Sequence, residues 1–164
     1  MAGTGIVNVS LPKDADGNSV PFEGGFIVKK SITFAGGTTN AIGDHDGTGD
    51  PFDIFTVTGL VKARIFGFCT TTLVDTTDTA TLEVGTAKST AAIIAQTTGT
   101  DIDVNEIWHD NAPDNSVELL TVAPEEIIGQ DVIGTVGTAN ITAGVIDFYA
   151  IWYPLSPDGN LVAA

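Results

Sequence analysis

Val61-Lys62-Ala63-Arg64-Ile65-Phe66-Gly67-Phe68-Cys69 decides the fold class. Side chains of an extended strand point alternately to its two faces. Val61, Ala63, Ile65, Gly67 and Cys69 therefore share one face, and Lys62, Arg64, Phe66 and Phe68 the other. Gly67 marks a bulge or a close approach of another group. β-Branched and aromatic residues carry the pattern on to Leu73, where a helix would need a 3.6-residue period instead.

The same reading extends downstream. Ala80, Leu82 and Val84 alternate with Thr81, Glu83 and Gly85, as in a strand with one solvated face. Asp75-Thr76-Thr77-Asp78 before it is a turn. Ala91–Gln96, short and flanked by Thr, reads as a strand rather than a helix. Ile102, Val104 and Glu106–Trp108 read as an extended region, Asn111–Ser116 as a turn around Pro113, and Val117–Val122 as a strand. Pro124–Ile128 reads as a single helical turn or a bend. Asp131–Val136 and Gly144–Tyr153 read as a hairpin across 137–143. Upstream, Phe26–Phe34 and Phe52–Val57 are further strands, separated by a Gly/Asp/Thr loop over Ala35–Pro51.

Eight or more short strands without an amphipathic helix imply an all-β chain, a β-sandwich or jelly-roll-like single domain over residues 26–164, or less simply a closed barrel. Helix content below about one tenth is expected. Ile65, Leu82, Val84, Ile133, Ile146, Phe148 and Trp152 are the expected core.

Residues 1–25 differ in character. Gly5–Leu11 alternates, and Pro12–Gly25 is rich in Asp, Asn, Gly and Pro. This predicts an N-terminal extended arm. Its apolar residues Ile6, Val7, Val9 and Leu11 are the candidate interface, since a lone strand needs a partner. That partner is either a neighbouring subunit or the chain's own sheet. The N-terminus has neither a basic region nor an apolar run, so no secretory signal is expected.

The chain has 164 residues, 21 Asp+Glu and 6 Lys+Arg, for a net charge of −15. Such a surface repels nucleic acid and anionic membrane. Two of its cations, Lys62 and Arg64, share a strand face, placed to meet an acidic partner or to balance local carboxylates. At 43% hydrophobic residues the chain is too apolar for a disordered acidic tail. No run approaches the ~18 apolar residues of a membrane span. The single cysteine, Cys69, reads as a small buried hydrophobe.

Candidate chemistry is sparse. Asp44, Asp46 and Thr48 stand at alternate positions with Gly49 sixth, as in a calcium loop, but the twelfth position holds Phe55 instead of a bidentate Glu. Asp14–Asn18 fits an Asx-type turn better than a cation cage. His45 and His109 form no paired motif, and three Cys/His residues are too few for a zinc site of that type. His109 reads as a surface or turn residue, and no Gly-x-Ser-x-Gly elbow accompanies it. Adjacent Glu125 and Glu126 do not have the separation of a glycosidase pair. The expectation is no catalytic residues, no metal and no cofactor.

Several stretches nevertheless follow one another in a distinctive order. They are Phe55-Thr56-Val57-Thr58-Gly59, Arg64-Ile65-Phe66-Gly67 with Cys69-Thr70-Thr71, and Leu82-Glu83-Val84-Gly85. Next come Ile94–Thr98, Asp101-Ile102-Asp103, Glu106-Ile107-Trp108, Gly144–Tyr149 and Trp152–Ser156. In this order the chain, over roughly residues 52–160, resembles a group of small virion proteins of tailed bacteriophages. The resemblance implies a non-enzymatic structural role, most directly a capsid decoration or cement protein on the outer shell surface. It also implies the major capsid protein as partner, assembly in the host cytoplasm, and by analogy a homotrimer. It carries over no site residues. A tail, fibre or host-binding module of the same virion is the alternative, with the loop Ala35–Pro51 as its recognition element. Fold class does not separate these readings.

Overall fold

The structure, a computed structural model, describes residues 25–37, 40–46, 50–75, 77–114 and 124–164. The candidate arm residues Ile6, Val7, Val9 and Leu11 lie outside the described residues, as does the expected strand Val117–Val122. Ten strands are described: β1 (Phe26–Thr33), β2 (Phe52–Thr58), β3 (Val61–Asp75), β4 (Thr81–Thr86), β5 (Ser89–Thr98), β6 (Ile107–Trp108), β7 (Glu126–Ile128), β8 (Val132–Gly137), β9 (Ile141–Pro154) and β10 (Asn160–Ala163). The described residues contain no α-helix, only a 3-10 turn at Gly99–Asp101.

All pairings between these strands are antiparallel. The first sheet runs β1-β9-β3, and the far edge of β3 is shared by β6 at Gly67–Phe68 and β7 at Val61–Ala63. The second sheet runs β10-β2-β8-β4-β5. Their inner faces meet in one core, the arrangement of a β-sandwich. All seven expected core residues are buried, from Leu82, Val84, Ile146 and Phe148 at 0% exposure to Trp152 at 8%. For six of them the alternation that identifies a strand also selects its inward face, whereas Ile133 is buried outside the shared core, to which β8 contributes Val132 and Val136.

The hairpin expected between Asp131–Val136 and Gly144–Tyr153 does not form. β8 is flanked by β2 and β4 in the second sheet, while β9 is flanked by β1 and β3 in the first. Residues 138–140 carry the chain between the sheets, turning at Thr138 with φ 69°. Pro124–Ile128 is likewise not a helical turn: Glu126–Ile128 is β7, held by Val61–Ala63 of β3. The extended reading of 102–108 holds only for Ile107–Trp108. Before them the chain turns at Asn105, with φ 70°, after Ile102 has closed the 3-10 turn.

Two glycines answer to close approaches. Gly67 sits opposite Trp108, and a Cβ there would lie 2.9 Å from Ile146 Cγ2. Gly43 has φ 113°, and a Cβ on it would lie 2.2 Å from the Ile141 carbonyl oxygen. The Ile141 N–H donates to the Gly43 carbonyl and the Gly36 N–H to the Ile141 carbonyl, both at 2.9 Å, so the described part of the 35–51 loop is pinned to the start of β9.

Cys69 is fully buried, as its sequence context implies. Burial pushes its thiol up to about 11, and its Sγ donates to the Thr71 carbonyl at 3.2 Å. A thiol that neither ionises nor meets solvent is inert. Native protein at pH 8 should therefore resist a thiol-specific chromogenic reagent and react fully once unfolded in guanidinium. Rapid reaction of the native form would place Cys69 at the surface.

Candidate functional site

The outer face of the first sheet is where chemistry-bearing side chains gather. Register builds it in rows across β1, β9 and β3. Ile27, Ile151 and Arg64 form one row, Lys29, Tyr149 and Phe66 the next, and Ser31, Asp147 and Phe68 the third. Tyr153 and Ile127 flank Lys62 on its two sides.

The rows are tied by specific contacts. The Phe66 and Tyr149 rings stack with centroids 5.4 Å apart and planes 16° from parallel. The Lys29 ammonium lies 5.9 Å from the centre of the Tyr149 ring and 2.6 Å from Asp147 Oδ2. Ser31 Oγ donates to the other Asp147 oxygen. Burial opposes charge on Asp147, but the hydrogen bonds from Lys29 and Ser31 and the Lys29 charge prevail and hold its carboxyl below the usual range. Lys29 is held correspondingly above its usual value, first by its hydrogen bond to Asp147 against the cost of desolvation. The Lys62 ammonium lies 5.3 Å from the centre of the Tyr153 ring and 3.0 Å from Glu125 Oε2. Arg64 differs from both. Its side chain forms no ion pair or hydrogen bond among the described residues, and its Nε is buried without a partner. Ile27 and Ile127 stand 69% and 70% exposed.

This face offers contact chemistry: stacked rings, exposed aliphatics, two satisfied ion pairs and one guanidinium with donors to spare. The shared face of Lys62 and Arg64 was legible in the β3 alternation, and Lys62 does balance a local carboxylate. That Lys29, Tyr149 and Ile151 join them was not, because it requires β9 to lie between β1 and β3.

A second feature lies at the sheet's rim. Among the described residues β1 pairs only with β9, so its outer edge meets no described strand. Gly25, with φ 65°, precedes β1. The C-terminus is close by, with Lys30 Nζ donating to the Ala164 carbonyl.

The remaining sequence candidates disperse. Asp44 is buried and its Oδ1 accepts the Gly37 N–H at 2.6 Å. Asp50 Oδ1 accepts the Val136 N–H at 2.7 Å. Burial raises the Asp50 carboxyl above its usual value against that hydrogen bond. Asp46 is exposed, 3.8 Å from His45 Nδ1, and Phe55 is in the core. Thr48 and Gly49 lie outside the described residues. Among the described residues no three His, Cys, Asp or Glu side chains gather as metal ligands would. His109 sits in a bend, as expected, but is buried rather than superficial, with Nδ1 3.5 Å from Asp110 Oδ2. The chain turns inward after Trp108, and the pairing of Ile107 with Asp114 closes the loop over it. Glu125 binds Lys62, while Glu126 stands opposite Ala63 in β7, so the two glutamates serve different neighbours.

Comparison of the chain with protein-family models, with curated proteins and with solved structures gives no match.

Proposed function

We propose that the chain is a non-enzymatic structural protein of a tailed-bacteriophage virion, a decoration or cement protein bound to the major capsid protein on the outer shell. The observation that carries this reading is the edge of β1. Both described sheets are built from residues 26–163, and the outer edge of β1, the first of their strands, meets no described strand. On this reading the preceding segment pairs with a sister subunit or the shell by adding Ile6–Leu11 as a strand. Val7, Val9 and Leu11 would be buried by that pairing. Two further points support the reading. The stretches that resemble small phage virion proteins fall on β2, β3, β4, β5, β6 and β9, thus on both sheets. A net charge of −15 suits the outside of a shell better than contact with packaged DNA.

The test uses particles of the phage that encodes the chain. A decoration protein should appear on a stained gel of purified particles at a copy number comparable to the shell subunit. A trace amount would favour the tail or fibre alternative, and absence from particles would refute both. Deleting residues 1–25 should leave the far-ultraviolet spectrum of a β-protein intact but reduce the copies that co-sediment with undecorated capsids at least about tenfold, as expected when strand addition supplies most of the binding. Undiminished decoration would make the segment an ordinary tail. Failure to fold would place its strand within its own subunit's sheet.

A further inference from the structure

The outer face of the first sheet holds one unmet charge and one uncovered apolar strip. Lys29 and Lys62 are occupied by Asp147 and Glu125. The Arg64 side chain forms no ion pair or hydrogen bond among the described residues, and its Nε is buried. A buried guanidinium nitrogen without a partner is costly, and a single carboxylate satisfies the planar fork with two parallel hydrogen bonds. Around Arg64, Ile27 and Ile127 are exposed, while Ile151 and Tyr153 are half-buried.

The point at which the chain reaches this face selects what covers it. Gly25 is buried at the corner of the face, where a Cβ on it would lie 2.9 Å from Tyr153 Cζ and 3.1 Å from the Trp152 carbonyl oxygen. Its φ of 65° is not that of a strand, so the line of β1 ends there. Arg64 stands opposite Ile151, and Ile151 opposite Ile27. It is therefore two strands over and two residues along from Gly25, about 12 Å away. Glu23 is the first carboxylate upstream of β1, and the next is Asp16. Two residues of chain span about 7 Å at full stretch, and the glutamate and arginine side chains bridge the rest.

We propose that residues 20–24 fold back over the outer face of their own subunit, with the Glu23 carboxylate on the Arg64 guanidinium and the Phe22 ring on Ile27, Ile151 and Tyr153. The fit is one for one. A single spare guanidinium takes a single carboxylate, and the exposed aliphatic strip takes a single aromatic ring. The short link through Gly24 and Gly25 holds that carboxylate at an effective concentration of about millimolar. A separate acidic body lacks this advantage and is repelled by a net charge of −15. Such a root fixes how the arm leaves its subunit, across β9 toward β3. It holds whether Ile6–Leu11 pairs with a sister subunit or with the shell, and so goes beyond the pairing proposed above.

Two measurements on the full chain test this. Chymotrypsin cuts after accessible Phe, so the Phe22–Glu23 bond of the native protein should be cleaved at least about tenfold more slowly than in a free peptide of residues 15–30. Arg64→Gln and Ile27→Glu, each with an unchanged far-ultraviolet spectrum, should bring the rate to within about threefold of the peptide's. Separately, the double variant Phe22→Cys/Ile151→Cys, oxidised at micromolar concentration, should form a disulfide within one chain, since Cys69 is buried and takes no part. Disulfide-linked dimers would give the face to a second copy and overturn the proposal. A pair that stays reduced would overturn it too, as would wild-type cleavage as fast as the peptide's. The capsid role is scored by copies bound to particles, so failure of either reading leaves the other standing.

Discussion

Truncation of Trp108 to alanine is expected to cost about 3–5 kcal/mol of folding stability. Trp108 has no exposed surface and is the largest of the fully buried side chains. It stands on the two-residue strand β6, where Gly67 opposite leaves room for the indole. Its ring meets Phe148 edge-on at 6.1 Å, within the first sheet. Its Nε1 donates to Thr97 Oγ1 at 2.9 Å, on β5 of the second sheet. Thr97 Oγ1 in turn lies 3.1 Å from the carbonyl oxygens of Ala95 and Asp110. One side chain thus fills the core and fastens the two layers. For a chain of this size the expected loss lowers Tm by roughly 6–20 °C, measured by circular dichroism on heating. Trp108→Phe keeps most of the ring and loses the hydrogen bond, so it should cost less than the alanine variant. A loss below about 1 kcal/mol for Trp108→Ala would mean that the site collapses around the gap or that the indole does not bridge the sheets.

Replacing Asp75 should be the next most damaging single change, at about 2–4 kcal/mol for Asp75→Ala. Its carboxylate ends β3 and organises the turn into β4. One oxygen accepts the N–H of Thr77 at 2.6 Å and that of Asp78, and the other accepts the Ala80 N–H at 2.7 Å. Ala80 is fully buried, so its N–H has no water to turn to when the carboxylate is gone. Burial works against the charge, yet the three backbone N–H groups and the Thr77 hydroxyl together hold the Asp75 carboxyl below its ordinary value of 3.8. A carboxyl whose pKa is lower folded than unfolded stabilises the protein fully above the unfolded value. That contribution disappears as pH falls through the folded value. The stability gap between wild type and Asp75→Asn, measured by urea unfolding, should therefore be constant near neutrality and narrow below about pH 3.8. A gap that widens in acid would reverse the assigned direction of the shift.

What was legible in the sequence divides along physical lines. Alternation marks inward residues wherever one face of a strand is wet, and so Ile65, Leu82, Val84 and Ile146 were identifiable before any coordinates. Alternation carries no label for the partner strand. Asp131–Val136 and Gly144–Tyr153 are neighbours in the chain with a turn between them, which is the ordinary signature of a hairpin. Only the demand that each fill the middle of a different sheet separates them. β7 was missed for a related reason. Glu126–Ile128 is too short to show a period, and its extended shape comes from β3 beside it rather than from its own residues. The burial of His109 was invisible because a bend gives no periodic cue. The outer face was half legible. Lys62, Arg64, Phe66 and Phe68 announce themselves within β3, whereas Lys29 and Tyr149 become their neighbours only through pairings that span most of the chain.

Those long pairings also govern when the protein can exist during synthesis. β9 is the middle strand between β1 and β3, and β10 pairs with β2. Phe26 therefore waits for Trp152, and Phe55 waits for Ala163. A nascent chain that has left the ribosome only as far as β8 holds β1 and β3 with no strand to join them, and their apolar faces have nothing to close on. Folding is thus deferred until β9 and β10 have emerged, and it proceeds by distant pairings that are slow to form. In that interval the excess of carboxylates has a second use: mutual repulsion keeps unfinished chains apart while their hydrophobic strands are exposed.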